Sequence, residues 1–227
     1  MNRAVSTAAR RLRRLVGLSV TPLYTKRHGL ERVGPGYFVR STLDARSVVL
    51  DCGLGDNADF SDEIITRFGA RCHGVDPTHK HQASLAAVAS RHGDRFQLCP
   101  VALAGASGSK TFYEAVNQIS GSLFGDHLNA AGALFYPVRC FTLEDLMGDI
   151  GLCQVDLLKL DIEGAEYEVL ASIGDEKLAG IGQIVVEFHH YCVPRFLGRH
   201  TRNIVARLRR LGFQSYSLDG INYLFFQ

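Results

Sequence analysis

The stretch Val48-Val49-Leu50-Asp51-Cys52-Gly53-Leu54-Gly55-Asp56-Asn57 constrains this chain more than any other. A short apolar run rich in β-branched residues reads as a buried strand. It breaks into two glycines separated by one residue, and a helical pattern follows. Glycines at such a turn let backbone N–H groups approach a ligand with no Cβ in the way. The acid precedes the glycines, and a carboxylate there repels phosphate. A pyrophosphate therefore fits poorly, and a nucleoside joined to an amino acid fits better.

Strand and helix patterns alternate from Ser47 onward. Phe60, Ile64 and Phe68 mark a helix closed by Gly69. The next strand, Cys72-His73-Gly74-Val75, ends in Asp76-Pro77. Asp76 lies about 25 positions after Asp51, near the ~20-residue offset at which an acid meets ribose hydroxyls in nucleotide-binding βαβ units. A carboxylate suits that task because a vicinal diol offers it two donors. Leu85, Ala86, Val88 and Ala89 support a second helix ended by Gly93, and Phe96 to Cys99 reads as a third strand. Ala102, just beyond that strand, is small and apolar, as a flat adenine ring requires. Residues 104–141 break the alternation with two further strands around 109–113 and 136–141. The Gly/Ser/Asn-rich loop between them, with Ser120-Gly121-Ser122, suits a pocket for a second substrate. Thr142 caps the helix that follows, with Asp145 three positions on.

Val155 to Glu166 (VDLLKLDIEGAE) is the second informative stretch, another buried strand running into a helix start. Lys159 inside an apolar strand needs a partner, because an unpaired buried charge is costly. Glu187, on the predicted neighbouring strand Ile184 to Phe188, is the expected one. Asp161 would project from the C-terminal end of its strand, where open α/β sheets bind ligands. His189 and His190 end the next strand, and an imidazole with an ordinary pKa near ~6.5 makes His189 a candidate base. No metal is expected, since neither His73, His79 and His81 nor Asp161 with His189 shows a known ligand spacing. The chain closes with a helix over residues 201–211 and two strand-like runs flanking Asp219-Gly220, a hairpin signal.

The six cysteines form no C-x-x-C pair, which argues against a zinc module and a disulfide framework. Net charge is +2, so nucleic acid is not expected as a partner. Residues 1–30 contain no acid and carry Arg3, Arg10, Arg11, Arg13, Arg14, Lys26 and Arg27. Apolar residues at helical spacing share residues 3–17 with the arginines. That pattern suits contact with an anionic membrane surface. A transit peptide and a helix packed on the domain are the alternatives. No run approaches the ~20 apolar residues of a membrane span, so the expected location is cytoplasmic, with at most peripheral membrane contact. The expected division is a basic helix and linker over residues 1–34, then one domain over 35–227.

Three stretches coincide with one family. Val49 to Ser61 (VLDCGLGDNADFS), Val75-Asp76-Pro77 and above all Leu157 to Leu170 (LLKLDIEGAEYEVL) resemble the FkbM-type S-adenosylmethionine-dependent methyltransferases. Ile184 to His189 (IVVEFH) matches the family's next strand. The resemblance spans roughly residues 35–190. It implies the class I methyltransferase fold, α/β and Rossmann-like. That fold has a mostly parallel seven-stranded sheet ending in an antiparallel hairpin, with helices on both faces. It also implies S-adenosyl-L-methionine as cofactor and O-methylation of a hydroxyl on a sugar, lipid-linked glycan or other small molecule. Asp51, Gly53 and Gly55, with Leu54 and Asn57 in the same loop, would meet the methionine part. Asp76 and Pro77 would meet the ribose, and Ala102 the adenine. Asp161 would sit near the methyl group and acceptor, with His189 as the other candidate base and Glu163 or Glu166 orienting the acceptor. Asn57 stands where many members have glycine, and asparagine tolerates a left-handed backbone. A non-catalytic domain of the same fold is the alternative from another class. An N-methyltransferase of nucleic acid is disfavoured by Asp161-Ile-Glu-Gly, which stands where an Asn/Asp-Pro-Pro-aromatic motif is expected. A nicotinamide dehydrogenase is disfavoured by Asp51 and the terminal hairpin.

Overall fold

Helices that alternate with buried strands force parallel pairing, because each crossover must return to the same end of the sheet. The computed structural model describes residues 22–34 and 36–227. Strands β3 (Val48–Cys52), β4 (Arg71–Val75), β5 (Phe96–Cys99), β10 (Leu157–Leu160) and β11 (Gln183–Glu187) pair in parallel. β12 (Gln214–Tyr216) and β13 (Asn222–Phe226) run antiparallel, giving the order β12-β13-β11-β10-β3-β4-β5. This is the expected seven-stranded sheet with a terminal hairpin. In that hairpin the Asp219 side chain accepts the amides of Ile221 and Asn222, both at 2.8 Å.

The two-residue period of the strands sends alternate side chains to opposite faces. Leu50, Leu158, Leu160, Ile184 and Val186 face one core, closed by α4 (Leu143–Asp149), α5 (Glu166–Ser172) and α7 (Gly198–Arg210). The short α6 (Asp175–Ala179) adds Leu178 to it. Val49, Leu157 and Val185 face the other, closed by α2 (Asp59–Phe68) and α3 (Gln82–His92). Gly69 ends α2 in a left-handed conformation, φ 68°, and its amide reaches the Ile65 carbonyl. Helix α7 starts three residues earlier than its apolar pattern indicates.

Residues 22–28 form a helical segment, α1, and β1 (Leu30–Val33) pairs antiparallel with β2 (Tyr37–Arg40). Leu30, Val33, Tyr37 and Val39 are buried in the same core as α2 and α3. The domain boundary expected at residue 34 therefore falls inside a hairpin that belongs to the domain. Residues 3–17, on which the membrane reading rests, lie outside the described residues. Among the described residues no helix is long and apolar enough to cross a membrane.

The irregular stretch builds a second sheet, ordered β6-β9-β7-β8, from β6 (Ala102–Leu103), β7 (Gly108–Glu114), β8 (Gly121–Ser122) and β9 (Leu134–Phe141). Ser122 Oγ donates to the Glu163 carbonyl at 2.6 Å, docking this sheet against the loop after β10. Thr142 caps α4 as expected, its hydroxyl accepting the Asp145 amide at 3.2 Å. Thr142→Ala is expected to cost about 1 kcal/mol and to lower the melting temperature by about 2–4 °C. Thermal unfolding checks this, with Thr142→Ser retaining the wild-type value.

Candidate active site

A cleft of about 680 Å³, partly open to solvent, lies at the C-terminal ends of β3, β4 and β10. Such sheets bind ligands there because loops from both sides of the strand-order reversal meet at that point. Gly53, Gly55, Asp76, Pro77, Ala102, Asp161 and Glu163 of the expected site residues line it. Ile119, Ser120, Gly121 and Leu123 of the inserted sheet form the facing wall.

Gly53 has φ +85°, and a Cβ there would come within 1.7 Å of the Asp161 carbonyl oxygen. Only glycine lets β3 and β10 end in contact. Asp76, 5% exposed, accepts the Leu54 amide at Oδ2 and the Thr78 amide at Oδ1, both at 2.9 Å. Each oxygen keeps a further lone pair for a diol in the cleft. Val75, Ala102 and Leu103 add a small apolar wall. Glycine backbone, a fixed acid and a flat apolar wall on one side, with Asp161 opposite, suit a nucleoside with an amino-acid tail.

Three loop residues stand elsewhere than expected. Asp51 does not line the cleft: it is fully buried and pairs with Lys159 at 3.1 Å, while Ser61 Oγ donates to it at 2.7 Å. Leu54 offers its amide to Asp76 and buries its side chain. Asn57 is exposed and away from the cleft. The left-handed residue is Ala58, φ 52°, at the N-cap of α2. The glycine departure at position 57 thus falls outside the ligand-lining backbone.

Lys159 is also paired otherwise than predicted. The register sets it directly abreast of Asp51 on β3 and Val185 on β11. Glu187 lies two residues further along, so Asp51 takes the ion pair. The ammonium also donates to the Gly53 carbonyl and stands 3.6 Å from Asp161 Oδ2. Burial opposes its charge, but Asp51 and Asp161 hold its pKa above the ordinary lysine range. The cation lies near the Tyr37 and Phe60 rings, at 5.3 and 5.8 Å from their centroids.

Tyr37 escaped the sequence reading. Its hydroxyl donates to Asp161 Oδ2 at 2.5 Å and stands 3.2 Å from Glu187 Oε2. Burial and the neighbouring carboxylates raise its pKa well above the ordinary phenol value, so it stays a donor. Burial, then Asp161, raises that of Glu187.

His189 does not serve as the base. Its Nδ1 stands 2.8 Å from Glu166 Oε1, and the ring is 2% exposed. Burial disfavours its charge, but Glu166, Glu163 and Asp161 together raise its pKa to about 10. An imidazolium has no lone pair to receive a proton. Glu166, fully buried, accepts the amides of Ile162 (2.8 Å) and Gly164 (3.1 Å) and shapes the turn after β10. It orients His189 rather than an acceptor. Glu163 faces the cleft from a left-handed backbone, φ 52°, with His127 Nε2 at 2.7 Å. Left-handed non-glycine residues persist where the surroundings over-determine them, often at functional sites.

A family profile described as "Methyltransferase FkbM domain" matches residues 44–215. The AMB antimetabolite synthetase AmbE of Pseudomonas aeruginosa is 39% identical over 76 residues, 34% of this chain and 4% of that protein. The chain thus spans a small fraction of the curated relative it matches. The fibrillarin pre-rRNA processing protein of Methanococcus jannaschii shares the fold at 10% identity and TM-score 0.47, covering 88% of this chain and 70% of that one. Aeropyrum pernix fibrillarin, solved with natively bound S-adenosyl-L-methionine, does so at 12% identity and TM-score 0.43, covering 81% and 66%. These likenesses are of fold. The exclusion of nucleic acid drawn from net charge is withdrawn: solved structures described as a pre-rRNA processing protein and an rRNA methylase resemble this chain, and those likenesses say nothing of its own substrate. Nucleic-acid contact depends on local patches of charge, to which a net charge of +2 is blind.

Proposed function

The chain belongs to the FkbM methyltransferase domain family, and on that premise we propose that it is an S-adenosyl-L-methionine-dependent methyltransferase that methylates a hydroxyl oxygen. The observation that supports this reading is Asp161, whose carboxylate lines the cleft across from the glycine loop. Tyr37 donates to its Oδ2, and among the described residues Oδ1 is approached by His189 Nε2 at 3.5 Å. The cofactor supplies a methyl group already activated on a sulfonium, so alignment is most of the task. Gly53 and Gly55 would bring backbone to its amino-acid part, Asp76 would hold the ribose, and Ala102 would flank the adenine. An aliphatic hydroxyl sheds its proton as the new bond forms, and a carboxylate beside it speeds that step by ~10²–10⁴-fold. Asp161 takes this position, and Glu163 orients the acceptor from the adjoining turn. Lys159 and Tyr37 fix the Asp161 carboxylate from below.

Transfer of labelled methyl groups to a panel of sugars, lipid-linked glycans, small alcohols and RNA oligonucleotides tests the reading. The expected product is an alkali-stable ether. A methylamine or methyl ester as the main product overturns it. Cofactor binding without transfer to any member of the panel returns the chain to the non-catalytic alternative.

A further inference from the structure

His189 Nε2 points at three carboxylates without hydrogen-bonding to them. It stands 3.5 Å from Asp161 Oδ1, 3.6 Å from Glu163 Oε2 and 3.9 Å from Glu187 Oε1. Hydrogen bonds of this type span about 2.7–3.2 Å, so these separations are too long. The ring is nonetheless fixed, since Glu166 Oε1 lies 2.8 Å from Nδ1 and the amides of Ile162 and Gly164 hold Glu166 in turn. Glu166 at Nδ1 keeps an N–H on that nitrogen, so a cation that displaces the proton from Nε2 meets that nitrogen's lone pair. Histidines that ligate metals are oriented in this way. Two ligands about 2.1 Å from one ion stand roughly 3.0–3.4 Å apart, and the ligand atoms of Asp161, Glu187 and His189 all lie within 4.8 Å of one another, so the side chains close inward on the ion.

The carboxylates are prepared in the same manner. Tyr37 engages Asp161 at Oδ2 and leaves Oδ1 toward His189, while Tyr191 donates to Glu187 Oε1 at 2.9 Å. Asp161, Glu163 and Glu187 are 26%, 22% and 23% exposed, which leaves a path for an ion. We propose that Asp161 Oδ1, Glu187 Oε1 and His189 Nε2 bind one divalent cation at the acceptor end of the cleft, with Glu163 beside it. A majority of hard oxygens with one imidazole suits Mn²⁺ or Fe²⁺ better than soft, thiolate-seeking ions. Sequence spacing did not indicate this set, because the fold gathers it from two adjacent strand ends.

A second cluster among the described residues, His127, Glu163 and Cys192, makes the contrast. There His127 Nδ1 accepts the Asn129 amide at 3.0 Å, which places the ring proton on Nε2, donated to Glu163 at 2.7 Å. That nitrogen has no lone pair for a metal. On the methyl-transfer reading above, on which this consequence alone rests, the ion lowers the pKa of a hydroxyl bound to it. The ion would add to the polarisation of the hydroxyl that Asp161 faces, with Glu163 still beside the acceptor.

Mn²⁺ added to the full-length protein without cofactor or acceptor, and followed by loss of the free-ion electron paramagnetic resonance signal, tests the site. One bound ion per chain is expected. Affinity should fall at least ten-fold in both Glu187→Gln and His189→Gln, and should persist in Cys192→Ser. Circular dichroism shows whether each variant is folded, and the near-isosteric Glu187→Gln decides if His189→Gln is not. Absence of binding by the wild type overturns the proposal, as does unchanged affinity in folded Glu187→Gln or loss confined to Cys192→Ser. Binding needs no acceptor, so this failure and a failure to methylate are separate results.

Discussion

Asp161→Asn is expected to reduce methyl transfer by ~10²–10⁴-fold while S-adenosyl-L-methionine affinity changes no more than a few-fold. The amide keeps the size of the side chain and can still accept from Tyr37, which now donates to Oδ2 at 2.5 Å. The Asp161 backbone, against which Gly53 packs, is unchanged. What the amide lacks is the negative charge that receives a hydroxyl proton or holds a cation. Steady-state turnover beside calorimetric titration of the cofactor separates the two quantities. A variant that loses cofactor affinity while its residual turnover at saturation stays near wild type would move Asp161 to the cofactor's side of the cleft.

Lys159→Met is expected to destabilise the fold by about 3–5 kcal/mol, the usual cost of removing one partner from a buried ion pair. Asp51 is fully buried and 3.1 Å from the ammonium, with the Ser61 hydroxyl as its other partner. Methionine restores the aliphatic length but leaves that carboxylate uncompensated. The Gly53 carbonyl also loses its donor. Urea unfolding of Lys159→Met, Asp51→Leu and the double variant measures the coupling. The double variant should recover much of the loss, because two apolar side chains leave no charge behind. A loss under about 1 kcal/mol in Lys159→Met alone would mean the pair is dispensable.

Much of the sheet was legible because its signals are local. Apolar runs, closing glycines and the Asp-Gly turn each act within a few residues, and parallel order follows from the alternation. The acids at strand ends, Asp76 and Asp161, were legible for the same reason. Partners across the sheet were not. Lys159 has strands on both sides, and only the register shows that Asp51 rather than Glu187 lies abreast of it. Tyr37 reaches Asp161 across 124 positions, from a strand that carried no signal of its own in the sequence. The role of His189 was misjudged because an imidazole's pKa belongs to its surroundings. Four carboxylates, those of Asp161, Glu163, Glu166 and Glu187, surround it.

The missing side chain at Gly53 sets a length as well as a shape. With 1.7 Å between its absent Cβ and the Asp161 carbonyl, the turn after β3 and the turn after β10 touch main chain to main chain. Lys159 ties the Gly53 carbonyl to the Asp161 carboxylate from beneath. The span from donor loop to acceptor carboxylate is thus gauged by backbone, which rotamer changes cannot stretch. On the proposed function, acceptors of different bulk would be accommodated by the opposite wall, the inserted sheet from β6 to β9. In this architecture selectivity can drift along that wall while the reach of the methyl group stays constant.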